Sequence, residues 1–109
     1  MASEVLSVSL NATLSNAEAD LLTVASGHTY TVLSILLCET AAAAETFDLY
    51  IDDGGGGTDY EIYSDQPLGA NQTFEHTGRI VLVDEDHLCA ATASSANVDV
   101  VVSYLDQTR

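Results

Sequence analysis

The sequence predicts an all-β fold: a single antiparallel β-sandwich, jelly-roll or immunoglobulin-like, with seven to nine strands. Three observations carry this reading. Short segments rich in Val, Ile, Leu, Tyr and Thr recur along the chain, and most alternate apolar with polar residues, the period of a strand with one buried face. Turn-forming clusters separate these segments at intervals of roughly 8–12 residues, as in sandwiches. At 109 residues and 47% hydrophobic composition the chain can bury a core without a metal or disulfide staple, so residues 1–109 are expected to form one domain.

Taken in order, Glu4–Leu10 sets Leu6, Val8 and Leu10 on one side of a first strand, and residues 1–20 read as an arm or edge strand. Ser15 and Glu18 match a capping box, which predicts a turn or one helical turn. Leu21–Ala25 is a short strand ending at Ser26–Gly27. In the longest apolar run, His28–Cys38, the residues Val32, Leu33, Ile35, Leu36 and Leu37 put bulk on both faces. That pattern predicts a central strand covered on both sides, within the sandwich or by a neighbouring subunit. Thr40–Glu45 holds four alanines but is too short for a stable helix, so it reads as a loop.

The alternation in Thr46–Asp52 turns Phe47, Leu49 and Ile51 inward and Asp48, Tyr50 and Asp52 outward. A flexible tip at Gly54–Gly57 leads into Asp59–Ser64, giving a hairpin. Pro67, the only proline, is expected to mark a strand boundary within the turn region Gln66–Asn71. Gln72–His76 and Arg79–Val83 are short strands interrupted at Gly78, and Asp84–Glu85–Asp86 is a tight acidic turn. In Leu88–Ala93 the small Ala90, Ala91 and Ala93 predict close approach of another layer. The last strand lines Val98, Val100, Val102 and Tyr104 on one face, before a polar tail at Asp106–Arg109.

Charge narrows the function. There are 17 Asp and Glu against 2 Lys and Arg, a formal net charge of −15, and the only basic side chains are Arg79 and Arg109. Phosphate backbones are held by Lys and Arg clusters, so nucleic-acid binding is not expected. Anionic membrane surfaces repel such a chain, and it contains no apolar stretch long enough to span a bilayer as a helix. Three roles suit the charge: solubility in a crowded or saline medium, complementarity to a basic partner, and divalent-cation binding by acidic loops. Met1–Leu10 lacks the basic and continuous apolar regions of a secretory signal. Synthesis in a cytoplasm is therefore expected, with Cys38 and Cys89 as reduced thiols within strands; they can pair only if those strands are neighbours.

No catalytic constellation emerges, and the chain is not expected to be an enzyme. No serine sits in a nucleophile elbow. His28, His76 and His87 are scattered at turns or strand edges, without metal-ligand spacing. Asn11–Ala12–Thr13 and Asn71–Gln72–Thr73 match the glycosylation sequon only by chance in a chain without a secretory signal. No cofactor is implied. Asp52, Asp53 and Asp59 flank the glycine tip and are weak calcium candidates, since calcium takes several carboxylate oxygens, although the EF-hand spacing is absent. Tyr50, Tyr60 and Tyr63 cluster in the hairpin and form a candidate contact patch if they share a face; cross-strand packing within the hairpin is the alternative.

The run Tyr30–Thr40, the segment Pro67–Leu68–Gly69–Ala70–Asn71–Gln72–Thr73–Phe74, the triplet Ile80–Val81–Leu82, and Val98 through the closing Ser103–Tyr104–Leu105 resemble small β-sandwich virion proteins of tailed bacteriophages, particularly those of aquatic hosts. The resemblance covers about Leu21–Leu105 and implies an accessory structural part located in the virion, either a capsid decoration protein or a neck, tail or fibre component. It implies oligomers, contact with other virion proteins, and no catalytic residues. Decoration or stabilisation of the head shell is the first expectation. The candidate contact elements are Met1–Leu10, with Leu6 and Val8 as its interface residues, the strand Tyr30–Cys38, and Tyr50, Tyr60 and Tyr63. A calcium-dependent carbohydrate-binding module using Asp52, Asp53 and Asp59 with the tyrosines is the alternative of another class. That alternative requires millimolar calcium to raise the thermal midpoint and chelator to reverse the rise; the virion reading expects no shift.

Overall fold

The computed structural model describes residues 3–54 and 58–108. Met1 of the N-terminal contact element, Gly55–Gly57 of the glycine tip and Arg109 of the expected tail lie outside the described residues. Nine strands and no helix form among the rest: β1 (Ser3–Leu14), β2 (Ala19–Thr23), β3 (His28–Glu39), β4 (Glu45–Asp52), β5 (Asp59–Leu68), β6 (Thr73–His76), β7 (Ile80–Leu82), β8 (His87–Thr92) and β9 (Val98–Thr108).

Every pairing is antiparallel. The first sheet has the order β1-β9-β3-β6, with β7 also on β3, and the second has the order β2-β8-β4-β5. β6 and β7 lie end to end along β3, opposite Ile35–Cys38 and Tyr30–Val32 respectively. Counted as one interrupted strand they reduce nine to eight, and the two four-stranded sheets then have the order of a jelly roll. The immunoglobulin-like alternative is thereby set aside.

The two inner faces meet in one apolar cluster. The first sheet contributes Leu14, Val32, Ile35, Leu37, Leu82, Val98, Val100 and Val102; the second contributes Leu22, Phe47, Leu49, Leu68, Leu88 and Ala90. Each fully buried Val, Leu or Phe stabilises the fold by roughly 1.5–3 kcal/mol relative to exposure. Phe47 and Tyr63 close one flank of the sandwich against Phe74 of the opposite sheet, with ring centroids 5.3 and 4.9 Å away in edge-on geometry. On the other flank the Ser9 hydroxyl donates to the Leu21 carbonyl at 2.7 Å.

Several local expectations change. The register of β3 on β9 shifts between Val32 and Ser34. This bulge switches the inward phase from Tyr30 and Val32 to Ile35, Leu37 and Glu39. The apparent two-sided apolar character of the run comes partly from that switch; Leu33 and Leu36 are only partly covered. β5 continues through Pro67 to Leu68 and does not stop at a turn, because β5 is the edge of its sheet and an edge strand tolerates a missing N–H. Ser15–Glu18 forms no helical turn: Ser15 instead receives the N–H of Ala96 at its hydroxyl and the N–H of Thr92 at its carbonyl. β9 runs through most of the expected tail to Thr108, where His28 Nδ1 meets Asp106 Oδ1 at 2.7 Å and Gln107 donates to Glu4. The first glycine of the tip has a packing reason. Gly54 has φ +74°, and a Cβ there would stand 1.9 Å from the Glu85 carbonyl oxygen.

Among the described residues Glu39 is the one buried carboxylate, only 1% exposed. It accepts the backbone N–H groups of Ala41 (2.8 Å), Ala43 (3.1 Å) and Asn71 (3.1 Å), and so holds the alanine loop and the turn after Leu68 together. Burial pushes its carboxyl up, but the backbone donors together bring it below the ordinary 4.5. A carboxylate depressed on folding stabilises the protein fully above that value and loses its contribution as pH falls through the folded pKa. Glu39→Ala is therefore expected to lower the thermal midpoint by several degrees at neutral pH. The gap to the parent protein should shrink in acid, as followed by circular dichroism melts across pH.

Candidate functional site

The two outer faces of the sandwich are chemically opposite. On β9 the core takes Val98, Val100 and Val102, so alternation turns Val101, Ser103 and Leu105 outward. Their register partners complete three rows across the first sheet. Leu6, Leu105, Thr31 and Val81 form one; Val8, Ser103 and Ser34 form the next; Leu10, Val101, Leu36 and Glu75 form the third. Leu6 and Leu10 are 74% and 73% exposed, Val8 is 55% and Val81 is 60%. Two shallow grooves cross this face, one lined by Leu6, Ser7, Val8, Leu33, Ser103 and Tyr104, the other by Leu10, Asn11, Ala12, Val100 and Val101 with the exposed Asp99 at its side. Three rows of this length carry one carboxylate, Glu75, in a chain with 17. An exposed apolar face of several strands is unusual for a monomer.

The outer face of the second sheet carries the opposite chemistry. One row runs Asp20, Cys89, Tyr50, Glu61, and the next Thr23, His87, Asp52, Asp59. Asp48 lies beside them and accepts the Asp65 backbone N–H at 2.7 Å. Like charges crowd here. Desolvation, followed by Asp52, Glu18 and Asp53, raises the Asp59 carboxyl; desolvation, followed by Asp48, Asp59 and Asp65, raises that of Glu61. At its centre two proton donors sit under the carboxylates. The buried Cys89 thiol donates to Asp20 Oδ1 at 3.1 Å, and the Tyr50 hydroxyl donates to Glu18. Burial, then the hydrogen bond to Asp20, pushes the Cys89 thiol far up; burial, then Glu18, does the same to Tyr50. Both groups stay protonated at neutral pH.

The sequence-predicted residues fare differently. Leu6 and Val8 stand exposed on the apolar face. The three tyrosines do not form one patch. Tyr50 is buried on the outer face under Glu18, Tyr63 faces the core against Phe47 and Phe74, and Tyr60 is exposed on the side of Ile51. The register shift between Leu49 and Tyr50 carries Tyr63 to the side of Leu49, opposite Tyr50, and ordinary alternation sets Tyr60 with Ile51, also opposite Tyr50. Asp52 and Asp59 are cross-strand partners, and Asp52 Oδ1 accepts the Gly54 N–H in a local turn. Among the described residues, the group whose ligand atoms lie within 4.8 Å of one another is Glu18, Asp20 and Cys89, and Asp52, Asp53 and Asp59 do not meet that geometry. The histidines stay apart: His28 is on Asp106, His76 on Tyr63 at 2.7 Å, and His87 beside Thr23 at 3.1 Å.

The sequence reading set Leu10 beside Leu6 and Val8 and offered the strand that holds Leu36 as a contact element, but it missed Val81, Val101 and Leu105 and the joining of all of these in one surface. A signal was present: Val101 and Leu105 are apolar at positions opposite in phase to Val98, Val100 and Val102. It also missed the Cys89–Asp20 and Tyr50–Glu18 contacts, which join residues 69 and 32 positions apart.

No family model matches this sequence, and no curated protein matches it. Solved structures do share the fold. A chain in the acidic stable capsid structure of Helicobacter pylori bacteriophage KHP30 aligns with a TM-score of 0.55 at 13% identity, over 100% of this chain and 99% of that one. The subviral particle protein VP2 of infectious bursal disease virus aligns with a TM-score of 0.59 at 12% identity; this chain is covered to 99% and spans 33% of VP2. A chain of the Bacillus endospore appendages, described as disulfide-linked pili, aligns with a TM-score of 0.51 at 12% identity, over 99% of this chain and 89% of that one. At such identities the likeness is one of fold.

Both cysteines are free, Cys38 half-buried on the first sheet and Cys89 buried on the second. A thiol reagent is expected to modify Cys38 alone in the native protein, and Cys89 only after unfolding, because the thiolate is the reactive form. Rapid native labelling of two thiols would contradict the protonated, covered state of Cys89.

Proposed function

We propose that this chain is a non-catalytic structural component of a bacteriophage virion that decorates and stabilises the head shell. It does so by laying the outer face of its first sheet on neighbouring virion proteins. The observation that carries this reading is the apolar face itself: Leu6, Val8 and Leu10 in line, continued by Val101, Leu105, Leu36 and Val81, in a chain of net charge −15. The fold shared with a capsid chain over nearly the whole of both chains supports it.

The physics is additive. β1 is about 40 Å long at the usual rise per residue, and four strands at their usual spacing make the face roughly 15–20 Å wide. The whole face then measures about 600–800 Å², of which the three apolar rows make up about half, against the roughly 800 Å² that each partner buries in a stable interface. Contacts made only in the assembled shell must break before it opens, so binding shifts the balance toward the closed particle. The acidic face of the second sheet is then left toward solvent, where its charge opposes aggregation of particles.

Neck or tail placement uses the same surface, and copy number separates the two: a stoichiometry matching the shell subunits fits the head, and a few copies per particle fits the neck or tail. Changing both Leu6 and Val8 to Asp is expected to abolish incorporation into particles. The free protein should melt within a few degrees of the parent, because both side chains are exposed. Normal incorporation of that variant would refute the interface.

A further inference from the structure

Strand β1 is attached to the sandwich by its backbone far more than by its side chains. Of its twelve residues only Leu14 is buried, while Val5, Leu6, Val8 and Leu10 are largely in solvent. What holds it is a ladder: Ser3 to Asn11 pair with Thr108 to Val100 without a break. Two side-chain bonds add to it, Ser9 to the Leu21 carbonyl and Gln107 to Glu4. The register then shifts between Asn11 and Leu14. Inside that shift Thr13 has φ +65°, a left-handed conformation unfavourable for a β-branched residue. An anchored Leu14, a strained joint and a ladder-bound arm follow one another along the chain.

We propose that β1 is an exchangeable arm: residues 3–11 of one copy pair with β9 of a second copy, in the register they hold within one chain. This deepens the assembly reading above and rests on it for its setting. The occupant is a second copy of this chain because the receiving edge is already seen to accept this segment, residue for residue. Every ladder contact and both side-chain bonds are retained on exchange, and only the joint at Ala12–Thr13 changes. Exchange lets Thr13 leave its left-handed conformation, and strained hinges favour swapping. Charge agrees. Between Ser3 and Leu14 the one charged residue is Glu4, which meets the neutral Gln107, so the arm can approach a second highly acidic chain with little repulsion.

Val8 and Ser103 are register partners, so Val8→Cys with Ser103→Cys places a disulfide between arm and β9. In a Cys38→Ser background, isotopically heavy and light pools of this variant are mixed at high concentration, incubated, oxidised and weighed by mass spectrometry. Covalent heavy–light dimers are expected. Intrachain links alone would overturn the exchange. Without added cysteines, Thr13→Gly relieves the joint, because glycine accepts positive φ. It is expected to lower the dimer fraction seen by light scattering roughly fivefold; an unchanged fraction, or a parent protein monomeric at all concentrations, would overturn the proposal. Particle incorporation is scored separately on the parent chain and on Thr13→Gly, which leave the exposed rows of the first sheet unchanged, and is set beside the link pattern of the cysteine variant. Incorporation with intrachain links alone defeats the exchange and leaves the virion role, whereas exchange in a protein absent from particles does the reverse.

Discussion

Seventeen carboxylates and two guanidinium groups cannot neutralise one another within a chain, and the rest of the structure depends on where that charge goes. Burying an unpaired carboxylate is prohibitive, so the core is built from aliphatic and aromatic side chains. The exception, Glu39, is compensated by backbone N–H groups and not by a cation. Most of the remaining acids gather on turns and on the second sheet, where desolvation and mutual repulsion raise the Asp59 and Glu61 carboxyls, while Glu4, Glu75, Asp99 and Asp106 stand on the first sheet. The buried thiol and phenol beneath that face act as neutral donors to Asp20 and Glu18, satisfying carboxylate oxygens without adding positive charge.

Against that background the outer face of the first sheet stands out. A chain with acid to spare keeps its three central rows almost free of it. Solubility alone would favour the reverse, since an open apolar sheet face is a liability in a free monomer. The segregation makes sense where the face is covered in use, with the acidic face turned to solvent. β1 extends this logic: it contributes one residue, Leu14, to the core and three apolar residues, Leu6, Val8 and Leu10, to the exposed face.

The alternation of β4 and β9 was legible because each has one face on the core, and a two-residue period survives wherever burial is one-sided. The all-β class, the strand positions and the absence of helix follow from it. Bulges were not legible. The shift at Leu33 made β3 resemble a strand covered on both sides, and the shifts around Leu49 placed Tyr50 and Tyr63 on opposite faces. Pro67 was read as a stop because sequence does not reveal that β5 is an edge. Leu6 and Val8 were visible as apolar positions, but their continuation through Leu105, Leu36 and Val81 depends on residues far apart in the chain, such as Leu6 and Leu105, becoming neighbours.

By itself the sequence determined the sandwich class, the charge that disfavours nucleic acid, and the residues able to face a core, because these depend on composition and short-range period. Tertiary structure alone decided that the topology is a jelly roll and that β9 lies between β1 and β3. It also decided that Glu39 is held by two loops and that an apolar and an acidic face lie on opposite sides of one sandwich. Those outcomes depend on strand order and register, which are set by long-range packing of the two inner faces and leave no signature in any local window of residues.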